Sequence, residues 1–293
     1  MKRVALTLVS IAVFAIGITA NSFAQTTPIE QKEIAPNLYR LFVNNAVSVV
    51  VFDGNDGKVI VDAGYERTAK DLKDAIASIS NSPNAYLINT HIHGDHTGGN
   101  ALFGEDNLTI ISHDNVKKYL SIDKIQSDRT IPAAPKAALP SITFTDRLTL
   151  DINEQQLELI HLSGGHTNSD IIVYFPVSKV LALGDLLFAN YFPYVDTGNG
   201  GNPLKYIENA EWIIKTFSSD ITLIGGHGPT YSIEQYKNWI NTLKETMEVA
   251  KSHKQKGMTL EEMKETKILK QWESYGSFFI TEDRWLDTIY PFI

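Results

Sequence analysis

The chain has 293 residues, a formal charge of −8 and no cysteine. Its length suits one large domain or two small ones. The acidic balance argues against a nucleic-acid-binding protein, because phosphate backbones attract basic surfaces. Without cysteine the chain can form no disulfide bond and no metal site built on thiolate ligands.

The first 24 residues have the layout of a secretory signal peptide. Lys2 and Arg3 precede a largely apolar run over residues 4–18, and Ser22 and Ala24 place small side chains before a cleavage point. We expect cleavage after Ala24, which leaves 269 residues of formal charge −10 in the periplasm or outside the cell. The run is short for a membrane span, so we expect no stable membrane insertion after cleavage. An uncleaved anchor is the alternative.

The first half of the mature chain predicts strands interspersed with helices. Stretches rich in β-branched residues predict five strands, at residues 38–43, 47–53, 58–62, 85–89 and 108–112. Apolar residues at helical spacing predict a helix over residues 66–79. A second, short helix is predicted over residues 114–120, with Ser112 or Asp114 as its cap.

The second half repeats this rhythm. Strands are predicted at residues 148–152, 156–161, 170–175, 180–183 and 221–224. Helices are predicted at residues 205–217, from Ser232 or Ile233 to about 256, after Thr259, and at 281–290. The sequence of residues 131–140 predicts an irregular loop, which is a candidate lid. Two mixed sheets with helices outside would bury both halves in one core, so we expect residues 25–293 to form a single domain.

The stretch THIHGDHTGG, residues 90–99, predicts half of a two-metal site. Neutral imidazole and carboxylate are standard ligands of zinc and similar ions. In an extended segment His91 and His93 point to the same side and can hold one ion. Gly94 permits a sharp turn, after which Asp95 and His96 can face a second ion.

The other half must come from elsewhere in the chain. His166 in SGGHTNSD, Asp185 in LALGDLLF and His227 in IGGHGP each lie near the end of a predicted strand beside glycine. Together with the first cluster they make seven candidate ligands.

The series HIHGDH, GGHT, GD and GGHG resembles the metallo-β-lactamase superfamily, and Asp62 in VIVDAG matches the aspartate that supports the ligands in that family. The resemblance covers nearly the whole mature chain. It implies an αββα sandwich of the α/β (α+β) class, in which two mixed sheets are flanked by helices. The metals would lie at one edge between the sheets.

The resemblance also implies roles for the seven residues. One ion would be held by His91, His93 and His166, the other by Asp95, His96 and His227, with Asp185 as the bridge. The cofactors would be two Zn²⁺ per chain, with iron or manganese as alternatives. Two such cations lower the pKa of a shared water, so that a bridging hydroxide can attack a small-molecule substrate. Asp95 would be the catalytic residue that orients the hydroxide and receives its proton.

Some residues have both a functional and a purely structural interpretation. Thr90 and Thr167 would orient ligands, although turn and capping roles explain them equally well. The candidate pocket residues are His113, Phe188, Tyr191 and Tyr194. His113 is alternatively part of a helix cap, and the aromatic residues are alternatively part of ordinary packing.

Three positions in the sequence narrow the class of substrate that the resemblance implies. The best-known zinc β-lactamases of this fold carry Cys or Ser at the position of Asp185. The glyoxalase II and lactonase branches carry Asp at this position, as this chain does. Phe188 stands where acyl-homoserine lactonases commonly have Tyr, and His93 replaces the Glu of the di-iron flavoprotein branch. We therefore expect a dizinc hydrolase of a small ester, lactone or amide, with weak β-lactamase activity at most. The alternatives are a mononuclear iron oxygenase and a non-catalytic metal-binding protein. The natural substrate and the oligomeric state stay open.

Overall fold

The computed structural model describes residues 27–106, 108–126 and 129–293. The predicted signal peptide lies outside this part of the chain. Within it, no helix combines the length and the apolar character that a bilayer crossing requires.

The first sheet has seven strands in the order β1-β2-β3-β4-β5-β6-β9. The strands from β1 to β4 pair antiparallel, and those from β4 to β9 pair parallel. The strands are β1 (Ile29–Ala35), β2 (Leu38–Val43), β3 (Val47–Phe52), β4 (Lys58–Val61), β5 (Asn84–Asn89), β6 (Thr109–His113) and β9 (Ile142–Phe144). Every residue of β3 is buried, because both faces of the sheet are covered.

The second sheet has six strands in the order β10-β11-β12-β13-β14-β15. All neighbours pair antiparallel except β13 and β14, which pair parallel. The strands are β10 (Arg147–Ile152), β11 (Gln155–His161), β12 (Ile171–Phe175), β13 (Val180–Phe188), β14 (Thr222–His227) and β15 (Tyr231–Ser232). A separate hairpin pairs β7 (Lys124–Gln126) with β8 (Arg129–Ile131).

The described residues contain eight α-helices. They are α1 (Ala69–Ala77), α2 (Gly94–Thr97), α3 (Asn100–Gly104), α4 (Asp114–Leu120), α5 (Pro203–Thr216), α6 (Ile233–Gln255), α7 (Leu260–Glu265) and α8 (Glu282–Ile289). Of these, α2 and α3 lie outside the ranges that were predicted to be helical. The capping box predicted at Thr259 begins α7. The helix α6 also begins with a capping box, at Ser232, one of the two residues predicted as its start. The cap of α4 is neither Ser112 nor Asp114 but His113, whose side chain accepts from the backbone N–H of Asn115.

Three apolar clusters hold four layers together. One lies between the sheets and includes Val50 and Ile88 from the first and Val173 and Ile224 from the second. Another packs α1 and α3 on the outer face of the first sheet, and a third packs α5 to α8 on the second. The predicted αββα sandwich of two mixed sheets is thus confirmed.

Several elements differ from the prediction. The edge strand β1 was not predicted, because charged residues such as Glu30 and Lys32 dominate it and edge strands are rich in charge. The strand β13 continues through Asp185 to Phe188 instead of ending at residue 183. Within residues 131–140, Ala138 is buried and its carbonyl accepts from the side chain of Asn100 in α3, so this part of the loop packs against the core. A lid formed by these residues stays a prediction.

Candidate metal centre

All seven candidate ligands lie where the two sheets meet at one edge. His91 and His93 follow β5, and Asp95 and His96 lie in the short helix α2. The remaining three come from the second sheet, where His166 lies in the loop from β11 to β12, Asp185 lies within β13, and His227 ends β14. The chain thus brings together residues that are up to 136 positions apart.

Three nitrogen atoms converge in the first group of ligands. Nδ1 of His93 lies 3.1 Å from Nε2 of His91 and 2.8 Å from Nε2 of His166. Oδ2 of Asp185 lies 3.3 Å from the same nitrogen of His166. The ligand atoms of these four side chains all lie within 4.8 Å of one another. Donors ~2.0–2.2 Å from one ion would have such separations.

Asp95, His96 and His227 form the second group, again within 4.8 Å. Nε2 of His227 lies 3.4 Å and Nε2 of His96 lies 3.6 Å from Oδ2 of Asp95. Asp185 also reaches this group, with Oδ1 3.1 Å from Nε2 of His96 and Oδ2 3.4 Å from Nε2 of His227. One carboxylate therefore contacts both groups, as a bridging ligand would.

The outer ring nitrogens of the first group are hydrogen-bonded away from the site. Nε2 of His93 donates to Oδ2 of Asp196 at 2.9 Å, and Nδ1 of His166 donates to the carbonyl of Tyr194 at 2.7 Å. The hydroxyl of Thr90 accepts from Nδ1 of His91 at 3.0 Å, because its own hydrogen goes to a carboxylate. These hydrogen bonds leave the other ring nitrogen of each histidine facing the site, where it can bind a cation.

The second group follows the same rule. Nδ1 of His96 donates to Oδ2 of Asp62 and Nδ1 of His227 donates to the carbonyl of Ala46, both at 2.7 Å. Carboxylate and carbonyl oxygens only accept, so these outer nitrogens carry hydrogen and the inner ones can bind a cation.

Two buried atoms of the site support the fit to a divalent cation. Nε2 of His96 and Oδ1 of Asp185 have no hydrogen-bond partner in the described part of the chain. A buried polar atom left unpaired costs about 1–3 kcal/mol. A cation bound by both atoms would remove that cost, and a set of imidazole and carboxylate donors suits zinc.

The charges of the two groups differ. Burial lowers the pKa of His166 to about 3, so this ring is neutral at pH 7. Burial acts the same way on His227, but the carboxylates of Asp185 and Asp95 outweigh it and raise its pKa to about 9. The pKa of Asp95 is about 2 despite burial, because His96 and His227 lie beside it. The second group therefore pairs imidazolium with carboxylate, and a divalent cation would replace those protons.

Asp62 supports the site from an uncommon backbone conformation. Its φ of +68° lies in the left-handed region, which costs about 1–3 kcal/mol for most side chains. Its carboxylate accepts from the backbone N–H and the hydroxyl of Thr90, both at 2.8 Å, and from His96. These bonds hold the strained residue in place and orient the rings of His91 and His96.

Glycine allows β13 and β14 to approach the histidines. Gly184 has φ +52°, and a Cβ there would lie 2.6 Å from the hydroxyl of Thr90. A Cβ at Gly226 would overlap the carboxylate of Asp185. The bend at Gly184 turns Asp185 into the site while the strand continues.

Thr167 shapes the loop of His166 instead of touching a ligand ring. Its hydroxyl donates to Oδ1 of Asp170 at 2.5 Å. The buried Asp170 also accepts from the backbone N–H groups of His166 and Thr167, at 2.7 and 2.9 Å. Burial raises the pKa of Asp170 to about 7.

A cavity of about 720 Å³ opens onto the two groups. Its floor includes His93, Asp95, Asp185 and His227. The Asp95 side chain is 17% exposed, whereas that of Asp185 is 4% exposed. Of the two candidate ligand carboxylates that line the cavity, that of Asp95 is therefore the more accessible to a substrate.

The candidate pocket residues occupy different places. Tyr194 lines the cavity. Phe188 lies behind it, stacked on the ring of His227 with centroids 4.7 Å apart. Tyr191 packs against Phe278 outside the lining. His113 is not a pocket residue: its ring stacks on His161 with centroids 3.7 Å apart and caps α4.

Other site residues have no signal in the sequence. Asp196, which orients His93, follows an aromatic run at no characteristic spacing from the ligands. Tyr65, Phe278 and Phe279 line the cavity from distant parts of the chain. Only the folded chain shows that these residues meet.

Fold and site together define a class, an αββα sandwich with a candidate dinuclear metal centre at the edge between its sheets. The sequence model of the metallo-β-lactamase superfamily matches residues 43–246. The chain belongs to this superfamily.

Individual relatives are distant. The chain is 26% identical over 160 residues to a type 2 metallo-β-lactamase of Bacteroides fragilis, a match covering 53% of this chain and 59% of that protein. It is 28% identical over 142 residues to the 2,4-dinitroanisole O-demethylase subunit alpha of Nocardioides sp. (strain JS1661), covering 47% and 40%. A solved metallo-β-lactamase from Pontibacter korlensis superimposes with a TM-score of 0.61 at 18% identity, over 73% of this chain and 98% of that one. The match spans less than two thirds of the length of both curated relatives.

Proposed function

We propose that the protein is an exported dinuclear zinc hydrolase that cleaves a small ester, lactone or amide. The observation that supports this proposal best is the convergence of five imidazole rings and two carboxylates in two groups, with Asp185 in contact with both. The hydrogen bonds on the outer ring nitrogens prepare these side chains for cations in advance.

Different residues have different roles in the proposed reaction. Two divalent cations held by the seven ligands would supply Lewis acidity and lower the pKa of a water at the site. Asp95 faces the cavity, where its carboxylate would orient the attacking water and accept its proton. Phe188 and the ring of Tyr194 shield the ligand histidines from bulk water. The cavity walls hold the substrate beside Asp95.

The names of the relatives support cleavage of small molecules. One is a β-lactamase, and another is an O-demethylase of 2,4-dinitroanisole. Since Asp185 stands where the resemblance places Cys or Ser in the well-known zinc β-lactamases, we assign β-lactam hydrolysis a minor role.

The test is a substrate panel on zinc-loaded protein comprising residues 25–293. The panel contains esters, lactones, amides and a chromogenic β-lactam. We expect turnover of at least one ester, lactone or amide, lost on chelation and restored by zinc. Iron-dependent oxygen consumption would favour the oxygenase instead, and tight metal binding without turnover would favour a non-catalytic protein.

Export rests on residues 1–24 and has its own test. N-terminal sequencing of protein recovered outside the cytoplasm should begin at Gln25. Recovery of the exported protein with Met1 still in place would contradict cleavage.

A further inference from the structure

One wall of the cavity comes from a part of the chain beyond the superfamily match. That match ends at residue 246, within α6. Residues 256–293, the C-terminal segment, contain α7, a 3-10 stretch at Lys270–Ser277, and α8. Between the last two, Phe278 and Phe279 line the cavity.

The C-terminal segment is anchored to the core, so its position is fixed. Trp285 is 1% exposed, stacks on Phe192 with centroids 5.7 Å apart, and donates from Nε1 to the hydroxyl of Thr246 at 2.8 Å. The backbone N–H of Phe192 in turn donates to the carbonyl of Tyr275 at 2.8 Å. Such packing makes the segment a permanent part of the site.

Both phenylalanines lie beside the candidate ligand His227. The ring centroid of Phe278 lies 5.6 Å and that of Phe279 lies 6.4 Å from the centroid of His227. The centroid of Phe279 also lies 5.9 Å from that of Tyr194. Phe279 is 40% exposed, although its neighbour Ile280 is only 2% exposed. Arg284 donates to the Phe279 carbonyl at 2.6 Å and holds this turn in place.

The exposed aromatic surface of Phe279, beside the candidate metal centre, can bind an apolar group of a substrate. Aromatic rings attract one another at centroid distances of about 4.5–7 Å, and burying their surface removes apolar area from water. Tyr65 and Tyr194 also line this cavity. A ring on the substrate would find aromatic partners here within reach of Asp95.

We propose that Phe278 and Phe279 form a specificity wall, and that the substrate is an ester, lactone or amide with an aromatic or similarly bulky apolar group beside the scissile bond. This inference rests on the proposed hydrolase function. The wall selects substrates by binding their apolar part, so it acts on KM more than on kcat.

The first test compares two six-membered lactones, dihydrocoumarin and δ-valerolactone, which differ by a fused aromatic ring. In Phe279→Ala and in the Phe278→Ala/Phe279→Ala double variant, we expect kcat/KM for dihydrocoumarin to fall about tenfold, mainly through KM. The value for δ-valerolactone should change less than about twofold. Phe292→Ala, in the same segment but outside the cavity lining, is the matched control. Equal losses on both lactones, or no loss, would overturn the wall.

The second test needs no turnover. Calorimetry on zinc-loaded protein compares 3-phenylpropanoate with propanoate, whose carboxylates are the same. Wild type should bind the aromatic acid about tenfold more tightly, and Phe279→Ala should lose that preference. If no ester, lactone or amide of the substrate panel is cleaved but the preference is present, the hydrolase proposal fails and the wall stands. Equal affinities for the two acids in wild type would overturn the wall, whatever the activity.

Discussion

The carboxylate of Asp95 lines the cavity, and its Oδ2 lies 3.4 Å from Nε2 of His227. The amide in Asp95→Asn has nearly the same shape but cannot take up a proton. We predict a fall in kcat of ~10²–10⁴-fold at saturating zinc, with little change in KM. Asp74→Asn, at an exposed ion pair on α1, is the control and should leave kcat unchanged. A variant that kept most of the wild-type kcat with both ions bound would refute the role of Asp95.

The grouping of ligands makes a second prediction. His166→Ala should weaken the ion of the first group and leave the second, and His227→Ala should do the reverse. Each substitution removes one ligand from one group, and Asp185 is the only ligand that the two groups share. Elemental analysis and zinc titration of each variant measure this, with His253→Ala, on α6 away from the site, as the control. Equal loss of both ions in both variants would refute the assignment.

Asp196 is predicted to act through His93, because it accepts from the outer nitrogen of that ring at 2.9 Å. Asp196→Ala removes this hydrogen bond, so the affinity of the first group for zinc should fall by ~10–100-fold. Asp196→Asn keeps an accepting oxygen, so its loss should be smaller. Competition with a chelator measures both affinities, and alanine and asparagine variants with wild-type affinity would show that Asp196 has no such role.

The candidate ligands were predictable at this scale because histidine and aspartate recur beside glycine in several motifs near the ends of predicted strands, and the motifs support one another as a set. His91, His93 and His96 also lie close enough in sequence for backbone geometry to relate them. Asp196 was not predictable, because its partner His93 is 103 residues away and nothing in its own neighbourhood marks it.

At the scale of elements, the neutral ring of His113 stabilises the start of α4. Its Nδ1 accepts from the backbone N–H of Asn115 at 3.1 Å, and burial lowers its pKa from 6.5 to about 4. Between those values the unfolded chain binds a proton that the folded chain does not. The free energy of unfolding should therefore decrease as the pH falls from 6.5 to 4.

We predict a loss of about 1–2 kcal/mol from His113 over that range. The full shift would correspond to ~3 kcal/mol, but water that reaches part of the ring's surroundings reduces it. His113→Asn keeps a capping oxygen without titrating, so its stability should fall less. Urea unfolding of both proteins at pH 7 and pH 4.5 gives the comparison. The same pH dependence in both would contradict this explanation.

Element boundaries were less predictable where tertiary contacts override local pattern. The prediction ended β13 before Gly184, since glycine usually interrupts a strand. Pairing with β14 carries the strand on to Phe188, with irregular register at Gly184. That bend is what places Asp185 between the two groups.

For the whole molecule, alternating strand and helix patterns were enough to predict two covered sheets. The role of the C-terminal segment in the cavity could not be predicted from these patterns. Its helices and caps were predicted, but the position of Phe278 and Phe279 depends on how Trp285 packs against Phe192. Contacts of this kind have no local signature, so the cavity wall could be identified only from the fold.

We propose that the seven candidate ligands hold two divalent cations side by side. The most direct measurement is the zinc content of wild-type residues 25–293 after zinc loading and dialysis, by elemental analysis. Seven donors in two groups, each with its own carboxylate contact, predict close to two zinc ions per chain. A content that stays at one or below, or bound iron that added zinc does not displace, would contradict the dizinc centre.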